Sequence, residues 1–352
     1  MRRSTLGPGS EAGGKRAPAG SRERSRVRLA RPLAACIDRR AATRGEERMT
    51  AAIRRLLDHD LWWSFKSSPL TVAAALVTLL FVLAALFAPW VAPHDPFDPA
   101  SLDLLDAFTP PAWTERGDPR FPLGTDDQGR CVLSTIVWGS RISLLVGFAA
   151  VLLSAGLGVA LGVSAGYLGG AYEALVMRLA DVQLTIPGIL VALTINGVAR
   201  TLVPRELQEA AAIWVLVLAI GISDWPKYAR LARGTTLVEK SKDYIAAARV
   251  IGLPPLRIMV RHLLPNVIGP VLVIGTIGLA LAIVSEATLS FLGVGVPPTT
   301  PSLGTLIRIG NDFLFSGEWW ITLFPSLALV LLVLAVNLLG DWLRDAFNPK
   351  LR

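Results

Sequence analysis

Glu286 is the one carboxylate in the apolar run Val267 to Leu292. A charge inside a membrane span is costly unless it faces protein or water, so two roles stay open. It could be solvated or bonded to a backbone donor near the end of the run, or take part in solute passage or gating. Arg178 and Asp181 lie three residues apart and could pair with each other or with a basic segment further on. Asp126 and Asp127 have the makings of an acid pair, but in a stretch dense with Gly and Pro they suit turn formation or contact with a soluble partner better. His59, His94 and His262 fall on separate segments and make no ligand cluster, and the spacing of Cys36 and Cys131 suggests neither a metal site nor a disulfide framework. The chain contains no His-Glu-x-x-His motif, no nucleophile with an adjacent base and no Gly-rich Lys-Ser/Thr phosphate loop. No catalytic, cofactor-binding or metal residue is therefore expected, and the chain is not expected to hydrolyse ATP alone.

The elements that position these groups are apolar. Of 352 residues 52% are hydrophobic and the mean hydropathy is +0.51. A helix needs about 20 mostly apolar residues to cross a hydrocarbon core roughly 30 Å thick, and six runs qualify. The predicted fold is an all-α integral membrane protein with six transmembrane helices: 70–91, 143–166, 171–198 kinked at Pro187, 210–222 extensible to 206–229, 267–292 and 321–339. Residues 92–138, with eight acidic and three basic side chains and prolines at 93, 96, 99, 110 and 111 among others, read as an aqueous loop. Before the first span, Ile53, Leu56, Leu57 and Leu61 recur at helical spacing ahead of Trp62, Trp63 and Phe65, which predicts an amphipathic segment over 49–69 lying along the membrane surface. Trp63 and Trp90 suit the two interfaces of the first span.

The pI of about 10.0 belongs to the leader. Residues 1–48 hold thirteen Lys/Arg against five Asp/Glu, and the other 304 residues carry 22 of each sign, which disfavours nucleic acid as a partner. The leader lacks an apolar core for a signal peptide and reads as disordered, unless the working protein begins at Met49. With the N-terminus inside, the inside segments after Met49 carry fifteen Lys/Arg and the outside segments seven. The positive-inside rule then puts both termini, including the tail 342–352, in the cytoplasm.

The most informative inside segment is 225–265, with eight basic and two acidic residues. Its first half suits a short helix of small residues around Ala246, Ala247 and Ala248, ended by Gly252 and the Pro254-Pro255 pair. A second helix runs from Pro255 to about Leu264, with Pro265 breaking it before the fifth span. Small side chains permit close approach of another surface.

Here the chain resembles the permease subunits of bacterial binding-protein-dependent ABC importers, whose signature is Glu-Ala-Ala, three residues, Gly, and then Leu-Pro. Ala247, Ala248, Gly252, Leu264 and Pro265 match, and Ala246 stands where Glu is common. Further blocks resemble the dipeptide, oligopeptide and nickel branch in its second, C-type subunit: Pro-Leu-Gly-Thr-Asp-Asp-Gln-Gly-Arg at 122–130, Gly139 to Leu144, Ser285 to Gly293, Pro297-Pro298, and Gly340 to Asp345. The resemblance covers about 60–352 and implies a type I ABC importer permease fold, its transmembrane domain over 139–341. It also implies a coupling helix at about 243–252 that docks on an ATPase, with Tyr244, Ala246, Ala247, Ala248, Arg249, Gly252 and Pro265 as coupling residues. The implied partners are two ABC ATPase subunits that bind the ATP, a second homologous permease, an extracytoplasmic solute-binding protein and membrane lipid. The implied location is the bacterial cytoplasmic membrane. Peptides lead as cargo; nickel, glutathione-like thiols and oligosaccharides stay open within the branch. An ion-coupled secondary transporter is the more distant reading, and it would be expected to show paired midplane charges or inverted repeats.

Overall fold

The computed structural model describes residues 65–97 and 102–347. The basic leader, residues 49–64 of the predicted surface segment with Trp63, and residues 348–352 of the tail lie outside the described residues. Helix α1 (Pro69–Leu86) begins where the Ser68 hydroxyl accepts from the Thr71 N–H, with Pro69 at a position whose N–H has no helical partner anyway. A short turn of helix, α2 (Ala88–Val91), leads into the polar segment. Then come α3 (Val132–Leu168), α4 (Gly170–Thr185), α5 (Gly188–Leu202), α6 (Gln208–Lys240) and α7 (Asp243–Val250). The chain continues through α8 (Pro255–Ile258), a π turn over Met259–Leu263, α9 (Leu264–Phe291), α10 (Leu303–Phe313) and α11 (Trp319–Phe347). Five of these segments are long and apolar enough to cross a membrane: α1, α3, α6, α8 with α9, and α11. Helices α4 and α5 pass the same test together but are bent by 97°, which gives six spans with the third broken.

The break lies where a kink was expected, and it is sharper. Ile186, held extended by the proline after it, ends α4, and Pro187 starts α5. The Gln183 side chain crosses the gap to the Ile222 and Ser223 carbonyls of α6, and it accepts from the Trp225 indole N–H at 2.8 Å.

Two spans are longer than their apolar runs. Helix α3 takes seven residues from the predicted loop, and α6 continues through Pro226 to Lys240, so 225–240 is helix rather than loop. Ion pairs line the extension: Arg230 meets Asp181 at 2.6 Å and Arg233 meets Glu173 at 2.5 Å, both on α4. Asp181 thus pairs with the basic segment. The Lys240 ammonium donates to the Gly166 and Tyr167 carbonyls, satisfying the C-terminal end of α3. Pro265 does not break the last of these helices. A proline lacks the N–H for its own i−4 bond and its ring crowds that carbonyl; the preceding π turn opens the spacing, and the helix runs on from 255 to 291.

The centre of the bundle is the contact of α3 with α6. Gly158, Gly162 and Gly166 form one stripe of α3, and a Cβ at each would collide with Trp225, Ala229, Ala232 or Thr236 of α6. Close backbone approach at small residues is the usual glue between spans. Around it, leucines such as Leu76 and Leu80 on α1 stay exposed, as a lipid-facing helix requires. Gly162→Leu should destabilise the purified chain in detergent by about 1–3 kcal/mol, as overpacking does, seen as a lower tryptophan-fluorescence melting temperature. Gly156→Leu should leave that temperature unchanged, because a Cβ there meets nothing within 4 Å.

Candidate functional site

Helix α7 joins α6 to α8 at one end of the bundle, and its eight residues divide cleanly between two faces. Ile245 and Ala248, three apart, are fully buried. They enter an apolar cluster with Val163 of α3, Tyr228 and Ala232 of α6, Leu253, Ile258, Leu263 and Val267. Ala246, Ala247, Arg249 and Val250 are exposed, with Val250 at 88%.

The helix is closed by a Schellman turn. Gly252 adopts φ +83, its N–H bonds the Arg249 carbonyl at 2.9 Å, and the Leu253 N–H bonds the Ala248 carbonyl at 3.1 Å. Leu253 then packs into the same cluster as Ala248. Only glycine holds this left-handed conformation cheaply, which explains Gly252 ahead of Pro254 and Pro255.

The residues singled out for coupling therefore differ in place. Ala246, Ala247 and Arg249 face outward, and the Arg249 guanidinium lies 5.1 Å from the centre of the Tyr167 ring of α3. Ala248 points inward and has no exposed surface, because Ile245 and Ala248 together form the anchoring face. Tyr244 is a tie within the chain: its hydroxyl donates to the buried Glu239 carboxylate at 2.7 Å and accepts from Asn266 at 3.2 Å. Lys242 pairs with the other oxygen of Glu239 at 2.5 Å. Gly252 shapes the turn, and Pro265 follows the π turn.

Glu286 lies at the far end of the bundle, wholly buried in α9. Ser143 of α3 and Ser290 each donate a hydroxyl to it at 2.7 Å, and the Ser143 oxygen accepts from the Leu303 N–H at 3.3 Å. The carboxylate thus clasps α3, α9 and the start of α10, and neither of the two cavities of the bundle described below includes it in its lining. Nearby, the Pro122–Arg130 motif folds back on itself through an isolated bridge of Thr125 with Cys131. Asp126 accepts from the Gln128 and Arg130 N–H groups and pairs with the Arg130 guanidinium at 2.7 Å, fully buried, while Arg130 reaches the Pro298 carbonyl. Asp126 is a turn former, as expected. Burial and the neighbouring Asp126 push the Asp127 carboxyl up.

Two cavities between α5 and α6 collect polar groups whose sequence positions gave no sign of belonging together. One, of about 240 Å³, lies between α5, the start of α6, the Gly293–Pro298 turn and α10, and includes Asn196, Arg200 and Arg308. The other, of about 220 Å³, lies by the α4–α5 break and includes Ser223, Asp224, Lys227 and Ser285. In the sequence these cations count only toward charge asymmetry; the break at Pro187 was the nearest available signal.

A bundle of apolar-faced helices long enough to cross a membrane, with one bent pair and a short helix at one end, defines a multi-pass membrane protein. Residues 158–352 match the profile of the binding-protein-dependent transport system inner membrane component, and residues 57–111 match that of the N-terminal TM domain of oligopeptide transport permease C. The chain is 40% identical over 293 residues to the dipeptide transport system permease protein DppC of Haemophilus influenzae, covering 83% of this chain and 95% of that one. It is 41% identical to the di/tripeptide transport system permease protein DppC of Pseudomonas aeruginosa, covering 83% and 92%, and 40% identical to the dipeptide transport system permease protein DppC of Escherichia coli K12, covering 83% and 93%. The chain belongs to the family of binding-protein-dependent transport system inner membrane components, and its fold is that family's type I ABC permease fold.

Two outcomes follow from the site's geometry. Gly252→Ala places a side chain at φ +83, at a cost of roughly 1–2 kcal/mol, so amide exchange across 243–253 should quicken about five- to thirty-fold while the spans keep their protection. Glu286→Gln should retain most of the wild-type transport, whereas Glu286→Leu, which strands two buried hydroxyls, should lower stability by about 1–3 kcal/mol. Loss of transport in Glu286→Gln at unchanged melting temperature would instead place the carboxylate's charge in the solute's path.

Proposed function

We propose that this chain is the C-type permease subunit of an ATP-driven importer that moves di- and tripeptides across the bacterial inner membrane. Its assembly contains a second homologous permease, two ATPase subunits that bind and hydrolyse the ATP, and an extracytoplasmic solute-binding protein. Both termini and α7 face the cytoplasm, supported by the fifteen-to-seven distribution of Lys and Arg. Peptide cargo is supported by the dipeptide and di/tripeptide permeases at 40–41% identity.

The observation that carries the mechanism is the two-faced helix α7. Its outer face offers small side chains at Ala246 and Ala247 and the protruding Val250, a surface that a groove on an ATPase can approach closely. Its inner face is embedded in a cluster fed by α3, α6 and α9. Closure of the ATPase pair would displace α7, and because packed interiors move as units, the displacement would pass to three spans as rigid-body rocking. Ala246 stands in place of the common Glu, so any polar contact made by that Glu is not carried over to this chain.

Ala247→Arg should leave the chain's insertion and melting temperature intact, because the added side chain points outward. In proteoliposomes holding the whole importer it should cut ATP-dependent peptide uptake about tenfold or more, equivalent to at least ~1.4 kcal/mol of lost docking energy. Full uptake in a normally inserted variant would overturn the assignment of α7.

A further inference from the structure

We propose that the cavity at the end of the bundle opposite α7 is a carboxylate subsite that takes the C-terminal carboxylate of the transported peptide on Arg200 and Arg308. The proposal rests on the importer reading above and adds to it a point of contact between this subunit and its cargo.

The cavity has the size and chemistry for the task. A half-open space of about 240 Å³ is bordered by α5, the first turns of α6, the Gly293–Pro298 turn and α10, room for the end of a peptide. Asn196, only 3% exposed, accepts from the Arg200 Nε at 3.0 Å. That bond fixes the Arg200 side chain while leaving its terminal nitrogens toward the cavity, where one makes only a long 3.4 Å contact to the Gly293 carbonyl. Arg308 is less satisfied still: its Nε is buried and has no hydrogen-bond partner among the described residues. A buried guanidinium N–H is expensive to leave without an acceptor.

Arg308 is also held in place. One turn earlier on α10, Gly304 lies so close to α9 that a Cβ would come within 2.4 Å of the Ala287 carbonyl, and Gly310 is equally tight against Ile321 and Thr322 of α11. Helix α10 is thus wedged between two spans. The Gly293–Pro298 turn is braced from outside by Arg130 at the Pro298 carbonyl. Glu209 is the one carboxylate in the lining, and among the described residues it makes no ion pair with either arginine. Two planar guanidiniums with free N–H groups suit a planar carboxylate, which can accept from both.

The test uses the complete importer with its binding protein in proteoliposomes and compares uptake of dialanine with uptake of its C-terminal amide. Arg308→Gln and Arg200→Gln should each slow dialanine about tenfold, the size of one lost charge-assisted hydrogen bond. Amide uptake, however slow in the wild type, should not change, and Arg308→Lys should recover part of the dialanine rate. Equal loss of both substrates would make the arginines structural, and a loss of ATPase stimulation by loaded binding protein would make them a docking surface; either overturns the subsite, as would unchanged uptake. A wild-type importer that moves neither compound overturns the importer reading instead. The subsite is then judged by melting temperature, which millimolar acetate should raise in the purified wild-type chain and leave unchanged in Arg308→Gln; no rise in the wild type would overturn it.

Discussion

The rest of the molecule depends on how closely α3 and α6 approach. Gly158, Gly162 and Gly166 leave one face of α3 without side chains, and α6 lays Ala229, Ala232 and the Thr236 methyl into that space. Lipid removes the hydrophobic drive that would press two helices together in water, so close contact must come from shape. With the two helices in register, Lys240 reaches the carbonyl end of α3 and Arg233 reaches Glu173. These bonds carry α6 beyond its apolar run to the start of α7.

The position of α7 follows from this. Tyr228 and Ala232 of α6 and Val163 of α3 form the floor on which Ile245 and Ala248 rest, and Leu263 and Val267 close it from the α9 side. The short helix is therefore part of the bundle's packing, although its other face stands free. On the proposed function, a push on the free face would reach the spans through this packing. At the opposite end, the Glu286 clasp and the Asp126–Arg130 turn hold α3, α9, α10 and the Pro297-Pro298 turn together, so this end is as firmly built as the α7 end.

Much of this was legible in the sequence, and for physical reasons. Length of apolar run is a strong signal because the bilayer sets it, and all six spans lie where the runs lie. Gly252 before Pro254-Pro255 announces a helix end through backbone geometry alone. What escaped depends on distant partners. The extension of α6 is edged by charges 49 and 60 residues away on α4, and the burial of Ala248 could not be read from an eight-residue helix that carries alanine on both faces. Helix α10 lies outside the apolar runs, and Pro265 was expected to break a helix that a π turn carries past it. Ser143, the partner of Glu286 on another helix, lies 143 residues away.

The central claim is that the free face of α7 is the contact through which ATPase motion enters the subunit. Photo-cross-linking in the assembled importer tests it most directly, with a benzophenone side chain placed either at Val250 on α7 or at Phe315, 98% exposed in the turn before α11 at the opposite end. The account predicts capture of the ATPase subunit from position 250, altered by ATP, and none from 315. Capture from 315 with none from 250 would contradict it.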